Sequence, residues 1–191
     1  MKTILVTAFE PFGGRERNAS SEVLRLLPDE IGGVMIRKLL LPVVFGKAAE
    51  LALRESADAV FLLGEAGNRS TVTPELQAVN IRDARIPDNA GFRPVHEKIL
   101  PDGPEVFRTP VPAERIAAHM REAGYPIDVS RDAGTFVCND TFYGVGVASD
   151  VPVEFIHCPA ETDKAPGFAD VIREFIRLAL DEIQADTGVQ P

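Results

Sequence analysis

Short apolar runs alternate with amphipathic stretches along most of the chain. Thr3 to Ala8 is apolar and β-branched, and its length suits a buried strand. Asn18 or Ser20 can cap a helix that runs to about Leu27 and is ended by Pro28. Val34 to Val44 reads as a strand, Gly46 to Ser56 as an amphipathic helix, and Ala59 to Leu63 as a second buried strand. Strand and helix in this alternation predict a three-layer α/β/α sandwich with a mixed, mostly parallel central sheet.

The second half is punctuated differently. Gly64-Glu65-Ala66-Gly67 breaks the strand, and Ser70 to Asn80 carries Glu75. From about Gly91 to Pro112 the chain is rich in proline and reads as a long loop, functional or mobile. Pro112 to Glu122 is a predicted helix with Pro at its start and Gly124 just past its end. Tyr125 to Val129 and Thr135 to Val137 favour strand, and Val153 to Ile156 predicts a strand ending at His157. The last helix is expected from Pro166 to about Ile183, with apolar residues at helical spacing, and the tail from Thr187 as frayed.

Composition narrows the classes. A chain of 191 residues can bury one substantial core, so residues 1–191 are expected to form one domain. A net charge of −9, with no run of Lys or Arg, disfavours nucleic acid and anionic membranes as partners. No segment approaches a membrane span or an export signal. Two cysteines make no disulfide framework, which points to the reducing cytoplasm.

The candidate chemistry centres on Asp132 to Tyr143, which reads D-A-G-T-F-V-C-N-D-T-F-Y. Asn139, Asp140 and Thr141 suit helix caps and first turns, so Cys138 falls at or near a helix N-terminus. There the macrodipole and unpaired amides favour a thiolate nucleophile. The competing reading is a small buried hydrophobe.

Of three histidines, His119 lies mid-helix and His96 in the proline-rich loop. His157 ends an apolar strand, at the sheet rim where ligands bind in α/β folds. Cys138 and His157 fit the nucleophile and base of a cysteine hydrolase. Glu75 and Asp88 are candidates for the group that orients the base. Phe9 and Phe12, three apart on the loop after the first strand, can line an apolar pocket or pack that loop onto the core. Metal-binding, phosphate-loop and serine-elbow spacings are absent, so no cofactor is implied.

Six segments, in order, resemble the pyroglutamyl peptidase I family of cytosolic cysteine peptidases. They are V-T-A-F-E-P-F-G-G, L-P-V-V-F-G-K-A, T-P-E-L-Q-A-V-N, D-A-R-I-P-D-N-A-G, A-G-T-F-V-C-N and F-I-H-C-P. The resemblance implies release of an N-terminal pyroglutamyl residue from peptides. It implies Cys138 as nucleophile, His157 as base then acid, and Glu75 as the residue orienting His157. It also implies substrate contacts from Phe9, Phe12, Glu65 and Arg85, with Arg85 lending positive potential near the oxyanion and Asp88 supporting a loop. A homo-oligomer, a tetramer in many members, is implied as well.

The chain departs from the family in places. Glu65 stands where many members have Gln, Asn68 where Gly is frequent, Leu76 where a basic residue follows the Glu, and Gln77 where an apolar residue is usual. Val153-Glu154 precedes F-I-H where Gly is common, and the segment between Cys138 and His157 is shorter than usual. Glu65 and Leu76 motivate one alternative, a silent relative that binds pyroglutamyl peptides without cleaving them. A second alternative is a nucleoside-processing enzyme on a related architecture, disfavoured by the missing phosphate loop.

Overall fold

A computed structural model describes residues 1–186, so the tail from Thr187 lies outside the described residues. In chain order the elements are β1 (Thr3–Phe9), α1 (Ala19–Leu26), β2 (Glu30–Ile31), β3 (Val34–Leu41), α2 (Lys47–Leu53) and β4 (Val60–Ala66). Then follow β5 (Thr73–Glu75), β6 (Gln77–Val79), β7 (Val106–Arg108), α3 (Ala113–Glu122), α4 (Val137–Ala148), β8 (Val153–Pro159) and α5 (Ala165–Asp186).

Six strands form the central sheet in the order β2-β3-β1-β4-β8-β5. The pairs β3–β1, β1–β4 and β4–β8 are parallel, and the two edge pairs are antiparallel. The mixed, mostly parallel sheet expected from the alternation is therefore present. Side chains alternate across it. Ile4, Val6, Ala8, Phe61 and Leu63 face one core, closed by α1, α3 and α5. Leu5, Phe9, Val60 and Leu62 face the other, closed by α2 and α4. Each fully buried Phe or Leu in these layers stabilises the fold by roughly 1.5–3 kcal/mol.

Local chemistry sets the element ends. Asn18, not Ser20, caps α1: its Oδ1 accepts from Ser20 N at 2.9 Å. Gly124, at φ +89°, turns the chain after α3 in the left-handed region. The buried residues of α5 include Ile172, Phe175, Ile176 and Leu180, as its periodicity predicts.

Two strand expectations give way. Tyr125 to Val129 only brushes the sheet, with isolated bridges Val72–Ile127 and Glu75–Ser130. Pro74 and Pro126 lack the amides a regular ladder needs. Thr135 to Val137 is not a strand either. Gly134, at φ +77°, turns the chain, Thr135 pairs with Asp83, and α4 begins at Val137.

The proline-rich stretch is pinned rather than free. Its β7 pairs with β6, Arg82 bridges Glu97, and Asn80 brackets Leu100 through both its amide groups. No helix among the described residues is long and apolar enough to cross a membrane.

Candidate active site

The carboxyl ends of β1, β4 and β8 open into a cleft of about 890 Å³. Its walls include Phe12 after β1, Gly67 to Arg69 after β4, His157 of β8, and Phe136 with Cys138 at the start of α4. A separate groove of about 660 Å³, between α3 and β7, holds no cysteine or histidine.

Cys138 is the second residue of α4, which begins at Val137, ahead of the cap-like residues Asn139 to Thr141. The first amides of a helix have no carbonyl within it to bond, so they point at the thiol's surroundings. The sulfur stands above Gly64 of β4, where a Cβ would come within 3.0 Å of it. Gly64 pairs with His157 on the neighbouring parallel strand. One backbone register and one missing side chain thus set the thiol and the imidazole on the same side of the sheet, in one cleft.

His157 is nearly buried, at 4% exposure, and its Nδ1 lies 2.8 Å from Glu75 Oε1. Glu75 is the last residue of β5 and sits diagonally across the antiparallel β5–β8 pair. A carboxylate only accepts hydrogen bonds, so Nδ1 carries the proton and Nε2 is left as the basic nitrogen.

Burial, with the charges of Glu75 and Glu65 adding to it, pushes the Cys138 thiol up from 9.0 to about 12. The amino end of α4 acts the other way, but a helix dipole is worth at most ~2 kcal/mol and offsets only part of that rise. Cys138 keeps some surface open to the cleft. The resting group is therefore a thiol that needs a base, rather than the free thiolate the helix start suggests.

The sequence-predicted residues separate into two sets. Cys138, His157, Phe12 and Arg85 line the cleft together, and Glu75 backs His157 from beneath. Arg85 is exposed on the rim, with no side-chain hydrogen bond or ion pair among the described residues.

Phe9 does not line the cleft. It is the last residue of β1, 3% exposed, and packs with Leu41 and Val43 in the core. Glu65 points away too, because alternation along β4 puts it on the face opposite Gly64. Its carboxylate accepts from Ala19 N at 2.6 Å, at the amino end of α1, and pairs with Arg15. Asp88 bears out its reading as loop support: it accepts from the amides of Phe45, Ala90 and Phe92.

Two cleft residues escaped the sequence reading. Phe136 packs against Phe12 at 6.0 Å and Phe45 at 5.3 Å between ring centroids, and its place two residues before Cys138 was the available signal. Arg69 reaches Glu75 Oε1 at 2.9 Å, and no motif marks it.

An α/β sheet whose cleft is lined by a helix-borne cysteine and a carboxylate-backed histidine carries the groups that a hydrolase of the cysteine peptidase class uses. A family model described as pyroglutamyl peptidase matches residues 2–166, and the chain belongs to that family. It is 43% identical over 165 residues to the pyrrolidone-carboxylate peptidase of Levilactobacillus brevis, covering 82% of this chain and 81% of that one. Identity to the Escherichia fergusonii pyrrolidone-carboxylate peptidase is 40% over 194 residues, covering 95% and 90%. The solved pyrrolidone carboxyl peptidase of Thermococcus litoralis superposes with a TM-score of 0.89 at 30% identity, covering 97% and 96%.

Proposed function

We propose that the chain hydrolyses the amide bond after an N-terminal pyroglutamyl residue, with Cys138, His157 and Glu75 as its triad. The observation that carries this reading is the 2.8 Å bond from His157 Nδ1 to Glu75 Oε1, in a cleft that Cys138 also lines. His157 Nε2 takes the proton as Cys138 Sγ attacks the pyroglutamyl carbonyl carbon. The tetrahedral intermediate collapses to a thioester, and the same proton passes to the departing amine. Water then attacks the thioester with His157 again as base, freeing pyroglutamate and the thiol.

Glu75 holds the imidazole in the required tautomer and stabilises the imidazolium that forms. Amides at the start of α4 and the unpaired Arg85 supply positive potential for the oxyanion. Phe12 and Phe136 offer the apolar slot that an uncharged lactam needs. Phe9 supports that slot from the core, and Glu65 fixes the amino end of α1 on the other face of the sheet. A reducing cytoplasm suits an enzyme whose nucleophile is a free thiol. A homo-oligomer rests on the family resemblance alone and is checked by light scattering.

The test is hydrolysis of a pyroglutamyl-coumarin amide, with and without reductant, beside Cys138→Ala. Turnover that needs reductant and vanishes in the variant is the expected result. A folded, reduced protein with no turnover would point instead to a silent binder of pyroglutamyl peptides.

A further inference from the structure

Glu75 is completely buried, yet it is asked to remain a carboxylate. A buried carboxylate with no countercharge takes up a proton, or draws one onto a neighbouring imidazole. Arg69, on the loop after β4, is the cation paired with it: Nη2 stands 2.9 Å from Oε1, the same oxygen that bonds His157 Nδ1. That Nη2 also lies 2.7 Å from Ser130 Oγ and 2.8 Å from Asp132 O, on the strand-like segment that leads to α4. One guanidinium therefore touches the orienting acid and the approach to the nucleophile.

We propose that Arg69 is a positioning residue that keeps His157 a neutral base by balancing the charge of Glu75. This rests on the triad reading above. If Glu75 stood alone, its charge would favour the imidazolium, and the base would be lost to protonation across more of the acid range. With Arg69 in place the Arg–Glu pair is already neutral, and the lone pair on Nε2 stays available to the thiol.

The other groups around His157 do not replace that charge. On its own face stand Cys138 from α4 and, along the cleft rim, Asp83, Arg85 and Asp132. Glu65 and Glu154 lie on the opposite face of the sheet. Arg85 is exposed to solvent, where its field is screened, whereas the Arg69 side chain is 21% exposed and in contact with Glu75.

The test is the pH profile of kcat/KM on a pyroglutamyl-coumarin amide for the wild type, Arg69→Gln and Arg69→Lys. Gln keeps donors for Ser130 and Asp132 but drops the charge; Lys keeps the charge. The expected result is an acid limb about one pH unit higher in Arg69→Gln, with a plateau lower by roughly ten- to a hundredfold. Arg69→Lys keeps the wild-type limb on a reduced plateau. A lowered plateau with an unmoved limb in Arg69→Gln would make Arg69 scaffold only and overturn the proposal. If Arg69→Gln does not fold, Arg69→Lys decides: a limb displaced as far as one unit overturns the idea, and a limb held in place supports it. An active Cys138→Ala would instead sink the triad reading and this inference with it.

Discussion

Gly64 makes the room that the Cys138 thiol occupies. A Cβ on Gly64 would stand 3.0 Å from the sulfur and 2.6 Å from the ring of Phe155, which is completely buried. Gly64→Ala must push the core-held Phe155 ring aside, and it crowds the sulfur as well. We expect a stability loss of about 1–3 kcal/mol and a drop of roughly 10²-fold in kcat/KM, because the thiol shifts away from His157. Urea unfolding and steady-state kinetics measure the two effects. Wild-type activity in a folded Gly64→Ala protein would mean that the thiol is not held where the register puts it.

The two cysteines should answer iodoacetamide differently. Cys158 is completely buried, burial pushes its thiol further up, and its sulfur donates to Gly64 O at 3.3 Å. Cys138 opens onto the cleft. Native protein should take up one equivalent, at Cys138, as peptide mapping will show. With a thiol raised to about 12, that reaction depends on proton transfer to His157 near neutral pH. His157→Ala should therefore slow labelling at about pH 7 and recover it tenfold per pH unit as alkali replaces the base. Equal rates in the two proteins would detach His157 from the thiol.

Much of this site was legible because its parts sit on regular elements. Cys138 is marked by a helix start and His157 by an apolar strand, which hydrophobic patterning finds, although β8 runs two residues past His157, to Pro159. Glu75 was one of two acids in view, and spacing alone could not choose it over Asp88. The choice is made by strand pairing across β5 and β8, a contact 82 residues apart in sequence. Phe9 and Glu65 were misplaced for a related reason. A loop reading says nothing of side-chain parity, and once β1 and β4 run further than expected, alternation turns Glu65 away and packs Phe9 into the core. Arg69 was invisible because a lone arginine on a polar loop has no pattern until its partner's burial is known.

Asp88 should matter for the apolar wall more than for the chemistry. Its two carboxylate oxygens take three amide hydrogen bonds, from Phe45, Ala90 and Phe92. Phe45 in turn meets the ring of Phe136 edge-on at 5.3 Å between centroids. Asp88→Ala leaves those amides without their acceptor and should cost on the order of 3 kcal/mol. The slackened wall should raise KM more than it lowers kcat. A variant with unchanged KM and a collapsed kcat would argue that Asp88 acts on the reacting groups instead.

Glu154 should make the protein less stable as pH rises. It is completely buried in β8, with Oε2 2.9 Å from Thr109 Oγ1 and Oε1 accepting from Phe155 N. The same Thr109 oxygen accepts from Val111 N and lies 2.9 Å from Val153 O. Thr109 has one proton for two acceptors, so both bonds are satisfied only if Glu154 is protonated and donates to the hydroxyl. Burial, reinforced by the nearby charge of Glu75, holds this carboxyl well above the usual carboxylate range. The folded chain thus binds a proton that the unfolded chain releases above about pH 4.5, and stability falls as pH climbs from there to the folded value, by at most ~1.4 kcal/mol per unit. Glu154→Gln keeps a donor for Thr109 and an acceptor for Phe155 N but has no proton to lose. Its stability relative to wild type, from urea unfolding at about pH 5 and about pH 8, should grow toward the alkaline side. A difference that stays flat across that range would mean that Glu154 is ionised in the fold.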